Sequence, residues 1–483
     1  MKRLDRFSLA VVGCFTWLFV MGPAHAAESE TAGTIEKPNI IFILCDNLGY
    51  GDLGCTGNKL HRTPNVDRLA REGMTLTSCY ASSPVCTPSR ASAITGCYAQ
   101  RINMHLSDTG AAVLQPVSPK GLNPSETTIA ELLKTRGYAT ACIGKWHLGD
   151  QPEFLPTRQG FDRYFGIPYS DDMTAREGKP WPPLPLMRGE RVVEAPADRS
   201  TLTKRYTEDA IRFISENRDR PFFLYLPHAM PGSTKQPFAS AAFQGKSAGG
   251  PYGDSVEELD WSTGELLATL QRLGLDQRTL IVWTSDNGTP RRPAPWGSNA
   301  PMGGWAYSTT EGGMRMPCFV RWPGKVPAAA KSDELTTLMD LLPTFAHLAG
   351  AELPTDRTID GRDISPLLLG QPGAKSPHRA FFYYYMDQLQ AVRNEQWKLY
   401  LPLERKQPVT ANSSRKADAA LYEVKTDLGE AHNVLSAHPE IAARLMALAE
   451  QAREDLGDFH RPAKNARPAG MVAHPTPRVL DGN

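Results

Sequence analysis

Two continuous apolar runs, far apart along the chain, constrain its fold more than any other sequence feature. Residues 39–45 read NIIFILC and residues 279–285 read TLIVWTS, and an Asp-Asn pair directly follows each run. Runs of this length, rich in β-branched side chains, are typical of parallel strands buried on both faces. Because ligands bind beyond the carboxyl ends of such strands, we expect the two Asp-Asn pairs to gather at one functional edge.

Other segments extend this pattern into a complete α/β arrangement. Strand-like runs at residues 138–144 and 221–228 alternate with helical patterns at residues 65–72, 127–136 and 255–273. Alternating strands and helices predict an α/β fold with a mainly parallel sheet flanked by helices.

The last third of the chain has a different pattern, in which strands cluster before a single helix. The helical pattern covers residues 439–456, and the strand patterns before it lie at residues 381–385, 391–393, 397–401 and 421–424. Such clustering predicts a smaller antiparallel α+β domain. We therefore place the α/β domain at residues 37–370, the α+β domain at 376–457 and a loose tail at 458–483.

The first 26 residues have the features of a secretory signal peptide. Basic residues precede an apolar stretch at residues 7–21, which ends in Ala24-His25-Ala26. No later segment approaches the roughly 18 consecutive apolar residues of a membrane span. The sequence therefore predicts an exported protein, periplasmic or secreted, with no membrane span.

Charge and cysteine content exclude several classes of protein. The chain carries 53 basic and 52 acidic residues, so it has no general basic field for holding nucleic acid. Seven cysteines follow residue 26, an odd number spread over a long chain, and none forms a C-x-x-C pair. Neither a disulfide framework nor a zinc ribbon is expected, so each cysteine is interpreted from its neighbours.

Cys86 has the most informative surroundings. It stands immediately before Thr87-Pro88, which favour a helix start, and Arg90 follows one turn later. A cysteine at a helix N-terminus beside a guanidinium is placed where an anion is favoured, as a nucleophile requires. The residues alone favour the more ordinary interpretation, a buried or disulfide-bonded cysteine next to a solvent-facing arginine, over a nucleophile.

The segment Cys86 to Arg90 resembles a known signature. CTPSR matches the C-x-P-x-R motif of type I sulfatases, and the similarity runs from about residue 37 to residue 456. Within that family the chain looks most like the arylsulfatase A branch. Other motifs shared with the family, in order, are PNIIFIL, GYGDLG, HRTPNVDRLAREG, GKWHLG, QGFDRYFGIPYS, TSDNG, EGGMR and LYEVKTDLGE.

The resemblance implies an alkaline-phosphatase-like fold and a modified nucleophile. A maturation enzyme would oxidise Cys86 to formylglycine (3-oxoalanine), with Arg90 supporting the residue. One hydroxyl of the aldehyde hydrate can attack a sulfate ester, and the other can later collapse to the aldehyde and expel sulfate. An unmodified serine or cysteine has no second hydroxyl and cannot expel sulfate in this way.

The two Asp-Asn pairs form an oxygen-rich set suited to a hard divalent cation rather than to zinc. The resemblance implies Ca²⁺, with Mg²⁺ as the alternative, held by Asp46, Asn47, Asp286 and Asn287. The family usually has a second aspartate where this chain has Asn47, so the site has one negative charge fewer. Strand-end capping is the alternative role for any one of these residues.

Three more site residues are implied by the resemblance. Lys145 and Ser170 would bind the sulfate group, and His147 would take or steer a proton. Without the resemblance, a solvated lysine, a packed histidine and a surface hydroxyl would be the ordinary interpretations.

Two positions depart from the family pattern. Gly232 stands where family members usually carry the histidine that acts as general acid, and Ala306 lies in the segment that usually supplies a lysine. His228 or Lys235 are the nearby residues that could replace these groups.

The sequence therefore predicts a sulfatase acting on an aryl or carbohydrate sulfate, so that its partners are a sulfated small molecule or glycan and the maturation enzyme. Two alternatives stay open. One is a phosphate or phosphonate monoester hydrolase on the same scaffold, since tetrahedral oxyanions resemble one another. The other is a catalytically degenerate protein that binds sulfated glycans, as the departures at Asn47, Gly232 and Ala306 would suggest.

Overall fold

The computed structural model describes residues 37–403 and 418–480, together with residues 10, 12 and 13. Nearly all of the predicted signal peptide, residues 1–26, lies outside the described residues. The described residues from Lys37 onward form one compact unit. Within the described ranges, no helix is both long and apolar enough to cross a lipid bilayer.

The described elements are nineteen strands and nine α-helices. The strands are β1 (Asn39–Asp46), β2 (Met74–Leu76), β3 (Cys79–Tyr80), β4 (Lys120–Gly121), β5 (Ala139–Ile143), β6 (Arg163–Gly166), β7 (Leu186–Arg188), β8 (Arg191–Glu194), β9 (Phe222–Pro231), β10 (Thr279–Ser285), β11 (Arg315–Met316), β12 (Phe319–Arg321), β13 (Ala330–Ser332), β14 (Thr336–Thr337), β15 (Phe381–Tyr385), β16 (Gln388–Arg393), β17 (Trp397–Tyr400), β18 (Ala420–Glu423) and β19 (Gly470–Met471). The helices are α1 (Pro64–Glu72), α2 (Cys86–Thr95), α3 (Ile129–Lys134), α4 (Leu202–Glu216), α5 (Gly250–Arg272), α6 (Glu311–Met314), α7 (Leu341–Ala349), α8 (Ser365–Leu368) and α9 (Pro439–Leu456).

A ten-stranded sheet organises the α/β part, in the order β13-β2-β12-β10-β1-β9-β5-β6-β7-β8. The central strands β10, β1, β9, β5 and β6 run parallel, whereas β12 and β7 join this block antiparallel. The predicted mainly parallel sheet is therefore confirmed, with antiparallel strands toward its edges.

Strand β1 shows why the apolar runs are continuous. Its alternate side chains enter two separate cores, Ile40, Phe42 and Leu44 in one and Ile41, Ile43 and Cys45 in the other. Successive side chains of a strand point to opposite faces, so a strand covered on both faces needs an apolar residue at every position. Helices α2, α3 and α7 cover the first face, and α1, α4 and α5 cover the second.

The predicted α+β part is also confirmed. Strands β15 to β18 form a four-stranded antiparallel sheet, and α9 packs on it. This sheet shares an apolar core with the α/β part, because Tyr80, Tyr98 and Met314 pack in one cluster with Phe381 and Tyr383. The predicted link at residues 370–376 falls between α8 and β15.

The C-terminal segment differs from the loose tail that the sequence predicts. Its described part, residues 458–480, contains β19, which pairs antiparallel with β4. Arg467 also forms an ion pair with Glu126, Nε to Oε1 at 2.8 Å. These contacts join residues about 350 positions apart, so no local periodicity could have revealed them.

Candidate active site

The two Asp-Asn pairs lie together at the carboxyl edge of the sheet. Strands β1 and β10 pair in parallel with Cys45 opposite Ser285, so the residues that follow them, Asp46 and Asp286, emerge side by side. Both aspartates are fully buried. The structure thus brings together the two Asp-Asn pairs, as expected from their positions after the two apolar runs.

Arg90 holds these two carboxylates from helix α2. Its Nη2 lies 2.9 Å from Asp46 Oδ1 and 2.8 Å from Asp286 Oδ2, and Nη1 donates to the carbonyl oxygen of Lys145 at 2.9 Å. The guanidinium is completely buried. Arg90 is therefore a buried bridge, and the alternative of a solvent-facing arginine is wrong.

Cys86 is the first residue of α2 and lies against the same carboxylate. Its Sγ donates to Asp46 Oδ1 at 3.3 Å and accepts from Lys145 Nζ at 3.4 Å. Lys145 Nζ also donates to Asp46 Oδ1 at 2.7 Å and to Ser170 Oγ at 3.3 Å. One ammonium group thus connects the predicted nucleophile, the predicted metal ligand and the predicted sulfate-binding serine.

Burial and charge set the protonation of these groups. Burial opposes ionisation of Asp46, but Lys145 and Arg90 hold its pKa well below the usual range. Burial, together with the charge of Asp46, raises the pKa of Asp286. The pKa of the Cys86 thiol is raised well above its ordinary value by burial and then by Asp46. The unmodified cysteine is therefore a protonated thiol rather than a ready thiolate.

The oxygens at this edge fit a hard cation. Asp46 Oδ2 and Asn287 Oδ1 are buried and have no hydrogen-bond partner among the described residues. Ligand atoms of Asp46, Cys86 and Asp286 lie within 4.8 Å of one another. Buried carboxylate and amide oxygens without partners are the donors that Ca²⁺ or Mg²⁺ prefers.

Asn47 lies within this group but is already engaged. Its backbone N–H donates to Asp286 Oδ1 at 3.1 Å, its Oδ1 accepts from Asn287 Nδ2 at 2.5 Å and its Nδ2 donates to Ser233 Oγ at 2.8 Å. All four predicted metal ligands are therefore adjacent.

His147 lies beside the nucleophile's helix. Its Nε2 is 3.1 Å from the carbonyl oxygen of Leu114, whereas its Nδ1 is buried and has no hydrogen-bond partner in the described part of the chain. Burial, and then the charges of Lys145 and Arg90, lower its pKa well below the ordinary value. A neutral ring that donates through Nε2 leaves the Nδ1 lone pair free to accept a proton.

The two departures from the family pattern also lie at or near this edge. The N–H of Gly232 donates to the carbonyl oxygen of Asp46 at 3.0 Å, and Ala306 is fully buried. Neither His228 nor Lys235, the two suggested replacements, is placed or protonated as a general acid for this site would be. Burial lowers the pKa of His228 to about 3, so its ring is neutral near pH 7. Lys235 is exposed.

Two further residues lie at this edge that were not predicted from the sequence. The hydroxyl of Tyr307, next to Ala306, lies 3.4 Å from Ser233 Oγ and so reaches the Asn47 contact. Asp171 is fully buried, and neither of its carboxylate oxygens has a hydrogen-bond partner in the described part of the chain. Its position directly after Ser170 was the available signal, but burial of a carboxylate is not visible in a sequence.

An alkaline-phosphatase-like sheet with buried carboxylates, a lysine and an arginine at its carboxyl edge is the architecture of an ester hydrolase. Comparison with known proteins narrows the class. Residues 38–351 match the family model described as Sulfatase, and residues 307–455 match the model described as N-sulphoglucosamine sulphohydrolase, C-terminal.

Individual relatives agree with the family match. Steryl-sulfatase of Mus musculus is 39% identical, covering 80% of this chain and 74% of its own. Arylsulfatase A of Homo sapiens is 38% identical, covering 91% and 94%. A crystal structure of Ps i-CgsB in complex with k-i-k-neocarrahexaose is 28% identical with a TM-score of 0.72, covering 86% and 92%. The chain belongs to the type I sulfatase family and is a sulfuric ester hydrolase.

Proposed function

We propose that this protein releases inorganic sulfate from an aryl or carbohydrate sulfate ester, with residue 86 acting as a formylglycine hydrate. One observation carries the proposal. Cys86 stands at the first position of α2 with its Sγ between Asp46 Oδ1 and Lys145 Nζ, at 3.3 and 3.4 Å. A nucleophile there has a cation beside it for the sulfuryl oxygens.

Each neighbouring side chain has a role in this proposal. Lys145 and Ser170 bind the sulfate oxygens, because the lysine ammonium already points to both Cys86 and Ser170. His147 accepts a proton at Nδ1, the buried ring atom that has no hydrogen-bond partner among the described residues. Arg90 keeps the two aspartates in place and, with Lys145, keeps Asp46 charged.

A divalent cation completes the proposed site. Asp46, Asn47, Asp286 and Asn287 would hold Ca²⁺, or alternatively Mg²⁺, and such an ion polarises a sulfate oxygen when bound. Removing the ion with a chelator should abolish activity, and added Ca²⁺ should restore it. Export through residues 1–26 and maturation of Cys86 by a formylglycine-generating enzyme belong to the same proposal.

Mass spectrometry of the Cys86 peptide tests the proposal first, using protein made with and without a maturation enzyme. We expect the mass of the aldehyde, or of its hydrate, only when the enzyme is present, and sulfate release from an aryl sulfate only from that sample. Cys86→Ala prepared in parallel is the control that cannot be modified. A cysteine that stays unmodified beside a working maturation enzyme would contradict the proposal and favour a glycan-binding protein.

Substrate preference separates sulfate from phosphate chemistry. The matured protein should hydrolyse the sulfate ester of a phenol faster than the phosphate ester of the same phenol. The opposite order would favour the phosphate or phosphonate monoester hydrolase.

A further inference from the structure

The carboxyl group of Asp171 is anomalous. It is fully buried, and both oxygens lack a hydrogen bond within the described residues. Its closest cation, Arg199 Nη1, lies 4.0 Å from Oδ2 and has a partly exposed side chain. A buried carboxylate without hydrogen bonds costs free energy, so such a group calls for a functional explanation.

Its position connects it to the proposed sulfate site. Asp171 follows Ser170, whose Oγ accepts from Lys145 Nζ at 3.3 Å. On its other side lies Gly232, where an added Cβ would be only 2.9 Å from Asp171 Oδ1. The N–H of Gly232 donates to the backbone carbonyl oxygen of Asp46, so the Asp171 carboxyl lies beside the sheet edge that carries Asp46 and Lys145.

The side chain of Asp171 occupies the space next to Gly232 and so limits which residue can stand at position 232. Any side chain at position 232 would collide with Asp171 Oδ1 and with the carbonyl oxygen of Ala229, also at 2.9 Å. The φ of +70° at Gly232 adds a backbone conformation that side chains disfavour. The structure therefore has room for one acidic side chain here, that of Asp171, and no room for a second acidic side chain at position 232.

We propose that Asp171 is the general acid that protonates the leaving oxygen of the sulfate ester. This inference rests on the proposed sulfatase function. As the nucleophile's oxygen bonds to sulfur, the bond between sulfur and the ester oxygen breaks, and its electron pair goes to that oxygen. The Asp171 proton is transferred to the same oxygen, so that the product leaves as a neutral alcohol. The resulting carboxylate regains a proton from solvent before the next turnover.

The surroundings of Asp171 make a proton available near neutral pH. Burial raises the pKa of Asp171 to about 7, with Asp172 and Asp46 adding to the rise and Lys145 and Arg199 opposing it. Tyr206, whose own pKa is raised by burial, also faces the group. A protonated carboxyl can donate to the ester oxygen without repelling the anionic sulfate, which a carboxylate would do.

Leaving-group dependence tests the proposal. With 4-nitrophenyl sulfate, whose leaving group needs little protonation, Asp171→Asn should keep kcat within a few-fold of the wild type. With phenyl sulfate or an alkyl sulfate, it should lose at least about 100-fold, the usual contribution of a general acid. Asp219→Asn is the control, since this exposed carboxylate precedes the amino end of β9 and should leave the dependence unchanged.

The pH profile of the unaltered enzyme provides a test that needs no substitution. Since the acid must be protonated, kcat for phenyl sulfate should fall as pH rises through about 7. No such fall is expected for 4-nitrophenyl sulfate, and Asp171→Asn should remove the fall that phenyl sulfate shows.

Equal losses on good and poor leaving groups, or no loss on either, would overturn the assignment of Asp171. If Asp171→Asn does not fold, the wild-type enzyme alone decides. The assignment is then overturned if its pH profiles of kcat have the same shape with phenyl sulfate and with 4-nitrophenyl sulfate. Absence of sulfate release from matured wild-type protein would instead contradict the proposed function itself.

Discussion

At the scale of single residues, the site depends on charges that are buried and paired. Arg90 is the centre of this pairing, since its guanidinium contacts both Asp46 and Asp286 with no exposed surface on any of the three side chains. Breaking a buried pair costs far more than forming it gains, because it leaves an uncompensated charge. The bridge is therefore needed for folding as well as for chemistry.

Arg90→Met should accordingly lower the free energy of unfolding by about 3–5 kcal/mol, because two buried carboxylates lose their main partner. Urea unfolding of the unmodified protein measures this without dependence on maturation. Arg158→Met is the control, because Arg158 forms an exposed ion pair with Glu190 and should change stability by less than about 1 kcal/mol. Equal stability of the two variants would refute the bridging role.

At the scale of elements, the ends of strands set the positions of the site residues. Gly144 follows β5 with a φ of +138°, and its Cα is so close to β9 that an added Cβ would lie 1.9 Å from the carbonyl oxygen of Pro227. The next residue, Lys145, donates its N–H to that same carbonyl at 2.7 Å. Close contact between the end of β5 and the middle of β9 thus fixes the ammonium group beside Cys86.

Gly144→Ala should therefore displace Lys145 and reduce sulfatase activity by at least about tenfold, since small misplacements at a site are costly. It should also destabilise the fold by about 1–3 kcal/mol, because backbone has to move to admit the methyl group. Gly429→Ala, where the added Cβ meets no atom of the described residues within 4 Å, is the control. Initial rates and thermal unfolding of both proteins test the expectation, and wild-type values for Gly144→Ala would exclude it.

At the scale of the whole molecule, a second buried charge cluster joins the C-terminal sheet to the α/β part. Glu311 of α6 accepts hydrogen bonds from Tyr383 Oη at 2.8 Å and from Lys398 Nζ at 3.0 Å, both of which belong to the C-terminal sheet. Tyr80 Oη of β3 donates to the same carboxylate at 2.5 Å. The C-terminal sheet is therefore held to the α/β part by ionic contacts as well as by a shared apolar core.

Glu311→Gln should reduce the free energy of unfolding at pH 7 by about 3–5 kcal/mol, because Lys398 loses one of its two buried counter-charges and keeps only Glu430, at 2.8 Å. Burial opposes ionisation of Glu311, but Lys398 and then Arg393 and Arg315 hold its pKa well below the usual range. The pKa of this carboxyl is lower in the folded protein than in the unfolded chain. Such a group stabilises the fold at pH values above its unfolded-state pKa, and this contribution is lost as pH falls toward its folded-state pKa.

The stability gap between wild type and Glu311→Gln should thus narrow as pH falls from about 5 toward 2. Chemical denaturation at several pH values measures the gap. Glu395→Gln, which alters an exposed pair with Lys425, is the control and should show a small gap at every pH. A gap for Glu311→Gln that widens in acid would contradict the assignment.

The sequence by itself determined the sheet, its buried strands and the family. Residues 39–45 and 279–285 carry those properties locally, because a strand covered on both faces must be apolar at every position. The segment from Cys86 to Arg90 is equally local, since a helix start depends on adjacent residues. Predictions from such features need no knowledge of what lies elsewhere in the chain.

Only the tertiary structure decided which side chains are buried, paired or left without partners. The attachment of β19 to β4, the bridge made by Arg90 and the unpartnered carboxyl of Asp171 all depend on residues distant in sequence. Burial determines whether a carboxyl is a solvated surface charge or a raised-pKa acid, and burial is a property of the packed fold. For that reason Asp171 is recognisable only once Gly232 and Ser170 lie beside it.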